Sequence, residues 1–215
     1  MSGNLQSGVE AILSAAPVVP VMVIENVSDA VPLARALVKG GLPVLEITLR
    51  TNAAIESIRA IMAEVEGAIV GVGTVLTPAQ MVDMDKLGCA FAVSPGSSDT
   101  LLAAARDLRM PLLPGGVTAS ECMKLLEHGY RFQKFFPAEP AGGSAYLSSL
   151  ASPLPQIMFC PTGGITLQSA PGYLKLANVI TVGGSWMVPK KLVAAGDWAG
   201  IEALAAEASR LKQEF

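Results

Sequence analysis

An α/β fold is expected: eight parallel strands, each followed by a helix, closed into one (β/α)8 or TIM barrel that spans residues 1–215 as a single domain. Three observations point to it. Short apolar runs alternate with longer stretches of mixed apolar and polar period, as strands alternate with helices. Eight such runs can be counted, and they recur every ~20–25 residues, near the lower size limit for such a barrel. No linker or shift of composition divides the chain. An open doubly wound sheet is the other possibility. It would normally carry a glycine-rich turn after its first strand, whereas Ile24 is followed by Glu25, Asn26 and Val27.

The expected strands are residues 18–24, 43–49, 68–75, 91–95, 110–114, 131–136, 157–161 and 179–182. Helices should begin at Ser28, Asn52, Thr77 (with Pro78 behind it), Thr118 and Thr166, whose side chains can accept from free N–H groups of a first turn. They should stop at Gly40, Gly67, Gly88 and Gly129, because glycine enters the left-handed conformation that ends a helix. An extra helix is expected before the first strand, near residues 5–14, where it could plug the N-terminal mouth of the barrel. Another is expected at residues 198–212.

Composition narrows the function. The 215 residues are 51% hydrophobic and 15% charged, which excludes a disordered chain. A net charge of −3 offers no basic excess for nucleic acid. The longest uncharged stretch, residues 140–174, is broken by prolines and glycines and is not a membrane span. The first positive residue is Arg35, so no basic segment leads an apolar core, and the cytoplasm is the expected location. Three scattered cysteines, Cys89, Cys122 and Cys160, read as buried thiols rather than a disulfide or zinc framework. The one histidine, His128, reads as the end of a helix.

Chemistry in a parallel barrel sits at the C-terminal ends of its strands. The second strand reads Leu45-Glu46-Ile47-Thr48-Leu49-Arg50, so its apolar residues share one face and Glu46 and Arg50 share the other. Glu46 and Arg50 should therefore point inward. The third strand ends at Thr74, which should share the inner face with Val70 and Val72. In the sixth strand Lys134 alone among the eight lysines lies inside an apolar run. Burial favours the neutral form of an amine, and a neutral amine attacks carbonyl carbon. Pattern alone leaves two readings open, a structural partner for Glu46 or an imine-forming lysine. The last two strands end in Gly163-Gly164 and Gly183-Gly184-Ser185, where exposed backbone amides and a hydroxyl can hold phosphate.

These motifs stand in a familiar order: LEITLR, GVGTVLTP, AVSPG, KFFPAE, CPTGGI and GGSWMVP. Together they closely resemble the class I 2-keto-3-deoxy-6-phosphogluconate aldolase family, over essentially the whole chain. The first dozen residues fit least. The resemblance implies a (β/α)8 homotrimer that uses no metal or cofactor. It implies cleavage of 2-keto-3-deoxy-6-phosphogluconate to pyruvate and glyceraldehyde 3-phosphate, the last step of the Entner–Doudoroff route. It also implies cleavage of 4-hydroxy-2-oxoglutarate to pyruvate and glyoxylate. By the same resemblance Lys134 is the Schiff-base lysine and Glu46 the general acid and base. Arg50 and Thr74 hold the pyruvate carboxylate, with Pro95 and Phe136 lining the pocket. Thr162, Gly163, Gly164, Gly184 and Ser185 contact the distal hydroxyl and the phosphate. Two alternatives stay open: a sister aldolase for the phosphogalactonate epimer, and a phosphosugar-binding barrel without chemistry.

Overall fold

The computed structural model describes residue 6 and residues 8–211. A short helix, α1 (Val9–Leu13), precedes eight strands. Strands and helices then alternate: β1 (Val18–Met22), α2 (Val27–Lys39), β2 (Val44–Thr48), α3 (Ala54–Glu64), β3 (Ile69–Gly73), α4 (Pro78–Leu87), β4 (Phe91–Val93) and α5 (Asp99–Ala105). There follow β5 (Leu112–Leu113), α6 (Ala119–Glu127), β6 (Phe132–Phe135), α7 (Gly143–Ser149), β7 (Met158–Pro161), α8 (Ala170–Leu174), β8 (Val182–Gly184), α9 (Lys190–Ala195) and α10 (Trp198–Ser209).

All strand pairings are parallel. Six strands form a curled sheet in the order β5-β4-β3-β2-β1-β8, and β6 pairs with β7. Single bridges span the two seams, Gly115 with Lys134 on one side, and Phe159 with Val179 and Thr162 with Gly183 on the other. The β5–β6 seam is also stitched by a side chain. Gln6 donates to the carbonyls of Leu112 and Phe132 and accepts from the Phe132 N–H at 2.8 Å.

Two apolar clusters follow from the alternation of each strand. The outer one, which includes Leu45, Ile47, Val72, Ala92 and Phe135, packs against the helices, with Trp186 and Trp198 at its margin. Complete burial of Leu45 and Ile47 contributes about 1.5–3 kcal/mol each. The inner cluster joins Val19, Val44, Phe91, Val93, Leu113, Phe132 and Ile180, and Val9 and Leu13 of α1 pack into it.

Several expected boundaries need correction. The last strand is Val182–Gly184, shifted from the expected 179–182. Residue 179 instead bridges to Phe159. Thr77 and Thr118 cap α4 and α6 in reciprocal boxes with Gln80 and Glu121. Ser28 lies one residue inside α2, because Asn26 takes the cap position. Asn52 sits in a turn before Ala53, which precedes α3. Thr166 accepts from the Ser169 N–H in a local turn, so α8 starts only at Ala170. Gly40 and Gly88 follow the last residues of α2 and α4, and Gly129 follows His128, the cap of α6. Gly67 lies beyond the Val65 cap of α3. The N-terminal helix is shorter than residues 5–14, and residues 5 and 7 lie outside the described residues. So does Lys212, at the end of the expected last helix.

Candidate active site

Along β2, Val44 joins the inner cluster while Leu45 and Ile47 join the outer one, so Glu46 points inward as its parity requires. Its neighbours in register are Val21 on β1 and Gly71 on β3. The inner face of β3 carries no side chain at residues 71 and 73. A Cβ on Gly73 would collide with the Glu46 carboxylate, and one on Gly71 would collide with the Phe91 ring. Val70 and Val72 therefore face the helices, contrary to the expected inward orientation.

Along β6, Phe132 points inward and Phe135 outward. Lys134 shares the face of Phe132. Its Nζ lies 3.1 Å from Glu46 Oε1, and both residues are 3% exposed. The other ion pairs among the described residues join substantially solvent-accessible side chains. Two charges withdrawn from water cost several kcal/mol each, and their attraction roughly offsets that cost. Lys134 Nζ also lies 5.3 Å from the centre of the Phe136 ring.

Cys160 is the partner of Lys134 across the β6–β7 ladder. Burial, the largest influence, pushes its thiol up to about 12. Cys89 and Cys122 are likewise pushed up by burial, to about 11 and about 12. All three stay protonated and buried, as expected, and Cys160 offers no thiolate to compete with the adjacent amine. His128 is the α6 cap and lies 2.8 Å, through Nδ1, from the Arg106 guanidinium. Among the described residues no three His, Cys, Asp or Glu side chains gather as metal ligands. Nor is any described helix long and apolar enough to cross a membrane.

Above the Lys134–Glu46 pair opens a cleft of about 150 Å³. Arg50, Lys134, Phe136, Thr162, Gly163, Gly164, Gly184 and Ser185 line it, as the sequence led one to expect. Arg50 sits at the exposed rim, where its Nε donates to Thr74 Oγ1 at 2.9 Å. Thr74 is the one non-glycine residue with a positive φ (59°) among the described residues, and that turn carries its hydroxyl to Arg50. Gly163 and Gly164 take φ values of 106° and 81°, which side chains would resist.

Three expected residues, Glu46, Thr74 and Pro95, stand back from the cleft wall, and Glu46 meets it through Lys134 Nζ. Thr74 touches Arg50, and Pro95, half-buried two residues beyond β4, packs against Gly115 rather than lining the cavity. Sequence reasoning missed Val21, Val23 and Ile165, which do line it, as does Gly183 of the expected glycine pair. The alternation that turns Val19 inward carries Val21 and Val23 to the same side, a signal present in the first strand.

An amine held out of water against a carboxylate, beneath a guanidinium and two glycine loops suited to an anionic substrate, is what an imine-forming lyase requires. Class I aldolases are enzymes of that kind. The chain belongs to the KDPG and KHG aldolase family, whose model matches residues 9–204. The 2-dehydro-3-deoxy-phosphogluconate aldolase of Dickeya dadantii is 50% identical over 205 residues, 95% of this chain and 96% of that protein. A crystal structure of the KDPG aldolase from Legionella pneumophila, with pyruvate captured at low pH as a covalent carbinolamine intermediate, superposes with a TM-score of 0.91. It is 44% identical and covers 93% of this chain and 97% of that one. The 2-keto-3-deoxy-6-phosphogluconate aldolase of Zymomonas mobilis, solved with 3-phosphoglycerate, gives 0.90 at 49% identity, covering 95% and 96% of the two chains.

Proposed function

We propose that this chain is a class I aldolase that cleaves 2-keto-3-deoxy-6-phosphogluconate to pyruvate and glyceraldehyde 3-phosphate, in the Entner–Doudoroff route. The observation that carries this reading is the 3.1 Å contact between two buried ionisable groups, one of which, Lys134, lines the cleft. The same apparatus serves 4-hydroxy-2-oxoglutarate, releasing glyoxylate in place of the phosphorylated aldehyde. A sensor that only binds phosphosugars has no use for that pair.

The geometry gives each group a step. Proton transfer from Lys134 to Glu46 across their contact yields a neutral amine. Its lone pair attacks the C2 ketone. Glu46 moves protons through the carbinolamine, and the C2 oxygen leaves as water. The resulting protonated imine is an electron sink. Glu46 then accepts the C4 hydroxyl proton, the C3–C4 bond breaks, and its electrons form an enamine while the aldehyde departs. Glu46 returns the proton to C3, and water releases pyruvate and Lys134. Arg50, aligned by Thr74, holds the carboxylate with a fork that lysine lacks. The Phe136 ring shapes the apolar side. Thr162 contacts the distal hydroxyl. The amides of Gly163, Gly164 and Gly184 and the Ser185 hydroxyl fix the phosphate end and so orient the bond to be broken.

The scaffold reading follows the same line. The bridges across both seams, with the Gln6 stitch, support closure of the eight strands into a single-domain (β/α)8 barrel, with α1 seated under its N-terminal mouth. The protein works in the cytoplasm as a homotrimer, without metal or cofactor.

Borohydride reduction in the presence of pyruvate, followed by peptide mass mapping, tests the mechanism. The expected product is a single adduct on Lys134. An adduct on another lysine, or none while pyruvate binds, would refute it. Ser185→Ala should raise KM for the phosphorylated substrate about tenfold, the loss of one hydrogen bond to a charged group, and leave that for 4-hydroxy-2-oxoglutarate near its starting value. Equal effects on both would remove Ser185 from the phosphate end. The ratio of kcat/KM on the gluconate and galactonate epimers distinguishes the sister activity.

A further inference from the structure

The loop that carries Gly163 and Gly164 is held by more than the β6–β7 ladder. Beyond the strand ends, the Ala138 N–H donates to the Thr162 carbonyl at 2.8 Å, and the Glu139 N–H donates to the Gly163 carbonyl at 3.0 Å. The Glu139 side chain then lies across the loop. A Cβ added to Gly164 would stand 2.8 Å from Glu139 Cβ and 2.9 Å from its Cγ. The far end of that side chain is fixed from the other direction. Tyr173, on α8 and only 1% exposed, donates its hydroxyl to Glu139 Oε1 at 2.9 Å. Helix α8 follows the Gly163-Gly164 loop in the chain, so this bond closes a ring of contacts around the loop. It also holds a carboxylate, which is absent from the cleft wall, away from the place an anion should enter.

We propose that Tyr173 and Glu139 form a strut that positions the Gly163-Gly164 loop for the substrate phosphate and keeps the Glu139 carboxylate turned from it. Both are positioning residues: neither lines the cleft. Burial first, and then the neighbouring Glu139, raise the hydroxyl of Tyr173 above the ordinary tyrosine range, so it remains a donor at working pH. The inference rests on the phosphate reading of the glycine loops.

Tyr173→Phe removes one oxygen and keeps the buried ring. It should raise KM for 2-keto-3-deoxy-6-phosphogluconate about fivefold and weaken competitive inhibition by inorganic phosphate to match. Its kcat and KM on 4-hydroxy-2-oxoglutarate should stay within about twofold of the parent enzyme. Glu139→Gln keeps an oxygen acceptor for the tyrosine and should retain near-parental KM, whereas Glu139→Ala should behave like Tyr173→Phe. An unchanged KM for the phosphorylated substrate in Tyr173→Phe, or an equal rise for both substrates, overturns the strut while the phosphate site stands. If inorganic phosphate fails to compete in the parent enzyme and Ser185→Ala changes nothing, the phosphate reading falls and the strut falls with it.

Discussion

Lys134→Ala is expected to lower kcat/KM on the phosphorylated substrate by about 10⁴-fold or more, because no other group in the cleft can form the imine. The lysine is also half of a buried ion pair. Removing it leaves Glu46 without its cation, and breaking such a pair typically costs about 3–5 kcal/mol. Loss of activity could then reflect unfolding. Lys134→Arg separates the two effects. Its guanidinium keeps the positive charge beside Glu46 but does not deprotonate and cannot act as the nucleophile. Circular dichroism should show that variant folded, with turnover as low as in the alanine variant. Substantial activity in a folded Lys134→Arg protein would end the imine mechanism.

Glu46→Gln should slow kcat by about 10²- to 10⁴-fold, the usual share of a positioned acid and base. Glutamine keeps the shape of the side chain and an oxygen facing Lys134, and the space left by Gly73 still accommodates it. What it loses is the ability to carry a proton. Exchange of the pyruvate methyl hydrogens for deuterium, followed by NMR, isolates the enamine step from carbon–carbon cleavage. That exchange should slow along with kcat. An unchanged rate would take Glu46 out of the proton path.

Much of this was readable from residue order. Lys134 and Glu46 stood out because ionisable side chains inside apolar strands need a reason to be there. The eight strands were legible because strands covered on both faces read as short apolar runs. The eighth was misplaced for the same reason. The apolar run at 179–182 draws attention, while the pairing extends into Gly183 and Gly184, which carry no side chain to announce it. The facing of β3 was invisible locally. Its valines suggest an inward stripe, but the space at that level is claimed by Glu46 and Phe91 from neighbouring strands, so glycines must face inward. Pro95 entered through its place in a motif, and its packing against Gly115 has no local signature. The strut partners were overlooked because Tyr173 looks like core and Glu139 like surface, and only the fold brings them together.

Thr74 is where robustness and the proposed reactivity pull in opposite directions. A threonine held at a positive φ strains the backbone by about 1–3 kcal/mol, where glycine would be comfortable. A more stable version of this molecule is thus one substitution away, and it would lack the hydroxyl that aims Arg50. Screens that select for heat resistance alone should drift toward glycine at this position. Screens that select for turnover should hold the threonine, so position 74 separates the two kinds of selection.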